Sequence, residues 1–427
     1  MEFTVDREAL LARFLAYCRI DTQSDENSTT CPSTPKQKDL SRLLVEELQA
    51  LGLEDAAMDE HGYVYATLPE NFPPTHPRRG RAPTLGLIAH VDTSPAVSGQ
   101  GVNPIVHRDY PGGAIPLPQD PSIRLTPETD APLGQCIGHD IVTADGTTLL
   151  GADNKAGIAE ILATLETLRG QPEILHGPIR VAFTPDEEIG RGADKFDVKR
   201  FGAVAAYTVD GGEVGVIEDE TFCADTVIVT CKGINVHPGY AKDRMVNSIK
   251  MAAALLEHFP PDRLSPETTE KREGYIHPYT IQGDEEKTVV KILIRDFEAA
   301  GLADKEDRIR GFVAKVKARF PKGDVDFEVK ESYRNMKAVL DRHPEVGALA
   351  ERATAAAGLE VGKNPIRGGT DGARLSFMGL PTPNLFTGAH NFHSKREWVS
   401  LDNMVLTVRT LVHLVRLWGE CNSTDVA

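Results

Sequence analysis

Several short stretches of this chain carry side chains that can bind a metal ion or move a proton. They are His90-Val91-Asp92, the run from Leu150 to Ile158 that holds Asp153, Asp186-Glu187-Glu188, Thr208-Val209-Asp210 and Asn391-Phe392-His393. Each lies where the pattern predicts the end of a strand. Residues two apart at a strand end point the same way, so His90 and Asp92 can act together. A metal-ligating histidine needs a carboxylate behind its other nitrogen to fix the tautomer, which suits His90 as ligand and Asp92 as its orienter. Consecutive side chains diverge in Asp186-Glu187-Glu188, so one carboxylate can bind metal while its neighbour stays free as a base. Asp153 reads as a bridge between two ions. Singly, these clusters are ordinary features: most His-x-Asp pairs are surface residues, acidic triplets are solvated turns, and a lone histidine such as His393 is more often structural.

Together they say more. Two histidines and three carboxylates would converge on one sheet edge. Asp153, Glu188 and Asp210 with one bridging hydroxide balance two dications. Nitrogen and oxygen donors without thiolate favour zinc, with cobalt or manganese as substitutes. Two such ions generate hydroxide near neutral pH and clamp the tetrahedral intermediate of amide hydrolysis. Glu187 would take the proton of the water and pass it to the leaving amine.

The elements that must position these groups follow from the apolar pattern. Thr84 to Ala89 is a continuous apolar run that ends on His90, as a central buried strand does. Pro178 to Thr184 runs into Asp186-Glu187-Glu188, Ala203 to Val209 into Asp210, and Thr148-Leu149-Leu150 into the Asp153 turn. A helix is predicted after Asp153 with Ile158, Ile161, Leu162, Leu165 and Leu168 inward. Upstream, Asp6 can cap a helix, Ser33-Thr34-Pro35 starts a second that Gly52 ends, and Gly62 to Leu68 alternates like a strand. Strands alternating with helices make an α/β layer, whose ligands gather at the carboxyl ends of the strands. The character changes near Phe222. Strands at Thr226–Cys231, Thr288–Ile294 and Val325–Val329 alternate with helices at Met245–Phe259 and Leu302–Phe320, as in a small inserted α+β domain. After Tyr333 the α/β pattern resumes, with helices at Pro344–Ala357 and Asn403–Trp418. The expected division is 1–221 and 334–427 for one domain, and 222–333 for the insert.

Composition agrees. A chain of 427 residues exceeds one ordinary core, so two domains are expected. Hydrophobic content of 41% and charged content of 26% are globular values. A net charge of −16 argues against a nucleic-acid or anionic-membrane partner. The six cysteines form no CxxC pair and read as free thiols in a reducing compartment. Met1 to Asp6 has no signal-peptide pattern, and no apolar run is long enough to span a membrane. A soluble cytoplasmic protein is expected.

The runs Ile88–Ser94, Leu149–Gly157, Arg180–Glu188, Tyr207–Gly212, Asn235–Gly239, Ile366–Ala373 and Pro383–Gly388 resemble the M20 family of dinuclear zinc metallopeptidases, in its tripeptide-aminopeptidase branch. The resemblance spans nearly the whole chain. It implies an α/β mixed-sheet zinc-peptidase domain with an inserted smaller α+β, ferredoxin-like lid domain. It implies His90, Asp153, Glu188, Asp210 and His393 as ligands of two Zn2+ with Asp153 bridging, Asp92 behind His90, and Glu187 as general base. The implied substrate is a small peptide that loses its N-terminal residue, and the implied assembly a monomer or homodimer. In similar enzymes the histidine matching His237 helps to bind substrate or the oxyanion. Asn247, Arg295 and Arg367 are further substrate-binding candidates, since a guanidinium fork grips a peptide carboxylate well. The family often has two aspartates where this chain has Asp153-Asn154. Metal falls on the first, and the peptide between them is expected cis. Dipeptidase, carboxypeptidase and deacylase activities would use the same ligands, but the match through Thr184–Glu188 and Arg367–Gly372 favours the tripeptide aminopeptidase. A non-catalytic relative would be expected to lose Glu187 or a ligand, and this chain keeps all of them.

Overall fold

The continuous apolar runs become buried parallel strands. In the computed structural model, which describes residues 2–422, Leu85–His90 is buried at every position. It pairs in parallel with Ile179–Thr184 on one side and with Ala205–Gly211 on the other. These three form the middle of an eight-stranded mixed sheet. Its spatial order is Ala57–Met58, Val64–Leu68, Ile179–Thr184, Leu85–His90, Ala205–Gly211, Asn384–Phe386, Val216–Glu218 and Gly362–Lys363. A sheet covered on both faces needs strands that are apolar throughout, which is why these runs do not alternate. The register sets His90 beside Thr184, so both chains leave the sheet at the same edge, as Ala205–Gly211 does.

Two long helices, Ala152–Gly170 and Leu401–Gly419, are buried over most of their length, and their side chains join the largest apolar cluster with those of the strands. A helix apolar nearly all round belongs inside a core. Two of its buried polar groups are paired: Trp418 Nε1 donates to Tyr207 Oη at 3.1 Å, and that hydroxyl donates to the Val346 carbonyl at 2.6 Å. Asp6 caps the first helix, Arg7–Cys18, by accepting from the Ala9 N–H at 3.0 Å. A second, antiparallel sheet has the order Ala389–His390, Trp398–Ser400, Ile141–Thr143 and Ile105–His107. The hairpin loop between its first two strands carries His393. The cysteines are free thiols, and among the described residues no helix is long and apolar enough to cross a membrane.

The chain divides into two units. The first runs to Asp219 and resumes over Met336–Asn364 and from Thr370; the second is Glu220–Asn335 with Pro365–Gly369. The second unit has a four-stranded antiparallel sheet of order Tyr275–Gly283, Lys287–Asp296, Cys223–Lys232 and Asp324–Tyr333. The helices Ser248–Leu256 and Ala299–Arg319 share its separate core with Val227, Val229, Val290 and Ile292.

Three features differ from the sequence reading. The insert has an extra strand, Tyr275–Gly283, which is largely exposed, sits at the sheet edge and contains Pro278. An edge position tolerates proline, and an exposed strand shows no apolar run. Pro365–Gly369, expected with the first unit, packs with the second, where the Phe222 N–H donates to the Ile366 carbonyl at 3.1 Å. No strand leads directly into Asp153: residues 146–151 are irregular, and Asp153 and Asn154, with non-helical backbone angles, form a kink at the start of Ala152–Gly170.

Candidate metal centre

The sheet edge places the first group. His90 ends its strand and is 2% exposed. Its Nε2 is 2.9 Å from Asp153 Oδ1 and 3.2 Å from Asp210 Oδ1. Its Nδ1 lies 3.3 Å from the Asp92 carboxylate and 3.0 Å from the Asp92 carbonyl. The Asp92 carboxylate also accepts from the backbone N–H of Glu187 at 3.0 Å and of Glu188 at 3.2 Å. One buried side chain thus faces the imidazole and holds the short turn Glu187–Ile189. Asp186 points away, accepting from the Ser33 N–H at 2.7 Å and from Gln37 Nε2 at 2.7 Å.

Asp153 arrives differently. Gly151 enters the helix with φ of 79°, which suits glycine, and the Asp153–Asn154 peptide is cis. Asp153 Oδ2 is 3.1 Å from His393 Nε2, and that nitrogen is 2.7 Å from Glu188 Oε2. The Asp153 carboxylate therefore spans two imidazoles, one oxygen to each. Donor atoms of His90, Glu187 and Asp210 lie within 4.8 Å of one another, as do those of His90, Asp153 and Glu188.

Charge explains what this cluster can hold. Burial pushes Glu188 up to about 8, aided by the nearby charge of Asp153 and opposed by its contact with His393. Burial pushes Asp210 up to about 6, and Glu187 well above the ordinary carboxylate range. Burial opposes ionisation of Asp153 too, but hydrogen bonds from His393 and His90 hold it below its usual value. Contacts with Asp153 and Glu188 raise His393 to about 11. In the protein alone, the two imidazoles must serve as the cations among these carboxylates. Glu188 Oε1 is buried and has no hydrogen-bond partner. An orphaned carboxylate oxygen, beside another carboxylate shared by two imidazoles, fits a pair of divalent cations. The oxygen and nitrogen donor set suits zinc, cobalt or manganese.

The remaining sequence candidates belong to the second unit. His237 is exposed, and its Nδ1 accepts from the Gly239 N–H at 3.1 Å, which leaves Nε2 as the protonated donor. Asn247 caps the helix Ser248–Leu256 by accepting from the Lys250 N–H at 3.1 Å. Arg295 donates through Nη1 to the Ile294 carbonyl at 2.9 Å and lies over the Tyr333 ring. Arg367 is more fully engaged, donating to the carbonyls of Lys271 at 2.7 Å and Glu273 at 2.9 Å and to Thr269 Oγ1 at 3.0 Å.

Two buried acids escaped the sequence reading. Asp371 accepts from Thr184 Oγ1 at 2.7 Å, at the end of the strand that leads to Glu187, and burial pushes it up to about 7. Its signal was its place in Gly368-Gly369-Thr370-Asp371-Gly372. Glu397 accepts from the N–H groups of Leu150, Gly151 and Asp153. Its one signal was its position on the segment that carries His393.

The model of the peptidase family M20/M25/M40 matches residues 143–417. Peptidase T of Bacillus subtilis is 47% identical over 410 residues, covering 96% of this chain and 98% of its own length. Peptidase T of Brevibacillus brevis is 46% identical over 411 residues, with coverage of 96% and 98%. Among solved structures, the aminopeptidase PepT from Bacillus cereus superposes with a TM-score of 0.73 at 21% identity, over 97% of this chain and 99% of that one. A tripeptidase from Staphylococcus aureus gives 0.74 at 21% identity, over 98% and 100%. A Bacillus subtilis protein described as a dinuclear metal binding peptidase from the M20 family gives 0.62 at 14% identity, over 97% and 98%. Likeness at such identities shows a shared fold.

Proposed function

This chain belongs to peptidase family M20/M25/M40, beside peptidases T that match it over nearly their whole length, and on that premise we propose that it releases the N-terminal residue of tripeptides in a metal-dependent reaction. The observation that carries the reading is the shared carboxylate: Asp153 presents one oxygen to His90 at 2.9 Å and the other to His393 at 3.1 Å. In this reading His90, Asp153 and Asp210 hold one divalent ion, and Asp153, Glu188 and His393 hold the other. Zinc is the proposed metal, with cobalt or manganese as substitutes. Bound there, the ions supply the positive charge that polarises the scissile carbonyl and acidifies an attacking water.

The chain's own groups supply the rest. The Glu187 carboxylate accepts a proton as the water oxygen bonds to the carbonyl carbon. It returns that proton to the amide nitrogen as the C–N bond breaks, so the departing dipeptide leaves as an amine. A base needs freedom from strong ligation. Asp92 supports that role by holding Glu187 through its backbone rather than its carboxylate. Asp92 also keeps the proton of His90 on Nδ1, which leaves Nε2 as the donor atom. The second unit is the proposed lid, contributing substrate contacts. Within it, His237 offers a protonated Nε2 to a carbonyl or oxyanion. Arg295 has more of its guanidinium to spare for a peptide carboxylate than Arg367, and Asn247 retains its amide N–H groups.

The test is release of amino acids by zinc-loaded protein from three substrates: an unblocked tripeptide, the same peptide with an acetylated N-terminus, and a dipeptide. Loss of the first residue from the unblocked tripeptide alone is expected. Cleavage of the acetylated peptide would move the activity to the carboxypeptidase or deacylase branch. No cleavage with two metals bound would refute the peptidase reading.

A further inference from the structure

The helix Ala152–Gly170 begins without a side-chain cap of its own and is kinked at its start, where Asp153 (ψ 102°) and Asn154 (ψ 34°) leave helical angles. Its N-cap residue is Gly151, and the first N–H groups of any helix lack acceptors within it. Here the acceptor comes from far along the chain. Glu397 is 1% exposed, and its Oε2 accepts from the N–H of Leu150 at 2.9 Å and of Gly151 at 2.8 Å. Its Oε1 accepts from the N–H of Asp153 at 2.8 Å. The third bond matters most. It fixes the backbone of the residue whose side chain faces both imidazoles.

Glu397 also shares a segment with His393. Both lie in the loop between the strands Ala389–His390 and Trp398–Ser400. The base of that loop is pinned by Asp130 Oδ2, which accepts from Asn391 Nδ2 at 2.6 Å and from Trp398 Nε1 at 2.6 Å. Glu397 joins the loop to the Asp153 turn. The contact between His393 and Asp153 is thus made between two segments that a single buried carboxylate ties together.

We propose that Glu397 is a positioning residue that sets the Asp153 turn and the His393 loop in the relation a metal pair requires, so that metal affinity depends on a carboxylate outside the ligand set. The inference rests on the reading of Asp153 and His393 as metal ligands. Glu397 would touch neither ion nor substrate. Its contribution is shape, through three backbone N–H groups.

The test compares wild type, Glu397→Gln and Glu397→Ala. Glutamine keeps one acceptor oxygen, but its NH2 group must face at least one N–H that Glu397 now accepts. Alanine leaves all three N–H groups without that acceptor. Zinc affinity and stoichiometry are measured calorimetrically on metal-free protein, and thermal unfolding of the same metal-free samples reports folding separately. The expected result is zinc affinity about 10-fold weaker in the glutamine variant and about 100-fold weaker in the alanine variant. The cobalt-loaded glutamine variant should also show a changed visible spectrum at full occupancy. A capping role alone would lower the unfolding temperature while folded protein bound two zinc ions as wild type does, and that outcome overturns the proposal. If alanine prevents folding, the glutamine variant decides by the same criteria. Wild-type protein that binds no zinc would instead overturn the underlying reading of the site.

Discussion

The replacement Asp92→Asn separates the two duties of one side chain. Asp92 faces His90 Nδ1 with its carboxylate at 3.3 Å and with its own carbonyl at 3.0 Å. The carbonyl is the nearer acceptor and survives the substitution, so the His90 tautomer should persist. The turn Glu187–Ile189 has no such reserve. Its two N–H groups bond to different carboxylate oxygens, Glu187 to Oδ1 and Glu188 to Oδ2. An asparagine amide has one oxygen, so in either orientation one of these N–H groups faces an NH2 donor. A buried donor left without its acceptor costs about 1–3 kcal/mol. The surviving bond becomes neutral, and charge-assisted bonds are roughly twice as strong, so about 1 kcal/mol more is lost. The total, about 2–4 kcal/mol, corresponds to roughly 30-fold to 1000-fold at about 1.4 kcal/mol per factor of ten. The loss falls on the segment that carries the general base. It should therefore appear in kcat, with KM for the tripeptide little changed and both metals retained. Steady-state kinetics on metal-saturated variant, with metal content measured on the same sample, is the assay. A kcat within threefold of wild type would show that Asp92 does not hold the catalytic turn.

Three further outcomes are expected. Glu187→Gln should keep both metals and lose about 100-fold to 10,000-fold in kcat, because the amide cannot take a proton; full activity in that variant would remove Glu187 from the mechanism. Gly157→Ala should destabilise the protein by about 3 kcal/mol, read from denaturant unfolding, because the new Cβ would lie 1.9 Å from the Val209 carbonyl oxygen and 2.4 Å from Asn154 Oδ1; an unshifted midpoint would mean that the helix and strand separate freely there. Glu160 tests the core. Both its carboxyl oxygens are buried without a partner, and burial holds its pKa well above the ordinary 4.5. Native protein keeps a proton that the unfolded chain releases, so stability from this group is intact below pH 4.5 and is lost as pH rises. Glu160→Gln removes the titration. Its unfolding free energy should gain on wild type by up to about 1.4 kcal/mol per pH unit as the pH rises above the ordinary carboxylate range, and parallel curves would contradict the assignment.

What could be read from the sequence divides along a physical line. His90, Glu188 and Asp210 follow strands buried on both faces. Such a strand leaves an unbroken apolar run that stops at the first polar residue, and parallel register brings the stops together. The expectation that these side chains meet needed only that rule. The insert's inner strands were legible for the same reason, since Cys223–Lys232 and Lys287–Asp296 carry the apolar face of their own core. Tyr275–Gly283 was not, because an exposed edge strand is under no pressure to be apolar. Pro365–Gly369 was not, because its partner, Phe222, is far away in sequence.

Asp153 and His393 belong to neither class, and they expose what pattern reading lacks. Asp153 was expected at a strand end and instead sits in a kink at the start of Ala152–Gly170, where its N–H and those of Leu150 and Gly151 bond to Glu397. His393 was visible as a histidine in a loop, and at φ of 57° nothing in its immediate sequence fixes where its ring lies. Both positions are set by hydrogen bonds between segments more than 200 residues apart, with separations of 244 and 240 for Asp153 to Glu397 and Asp153 to His393. Periodicity carries no record of such bonds. A buried acid such as Glu397 looks in sequence like any surface glutamate. So the half of the site that the sheet positions is written in apolar runs, and the half that carboxylates position is written only in their partners. Substitutions should divide in the same way. Changes along Leu85–His90 or Ala205–Gly211 should act first on folding, whereas changes at Asp92 or Glu397 should act first on the site and leave the sheet in place.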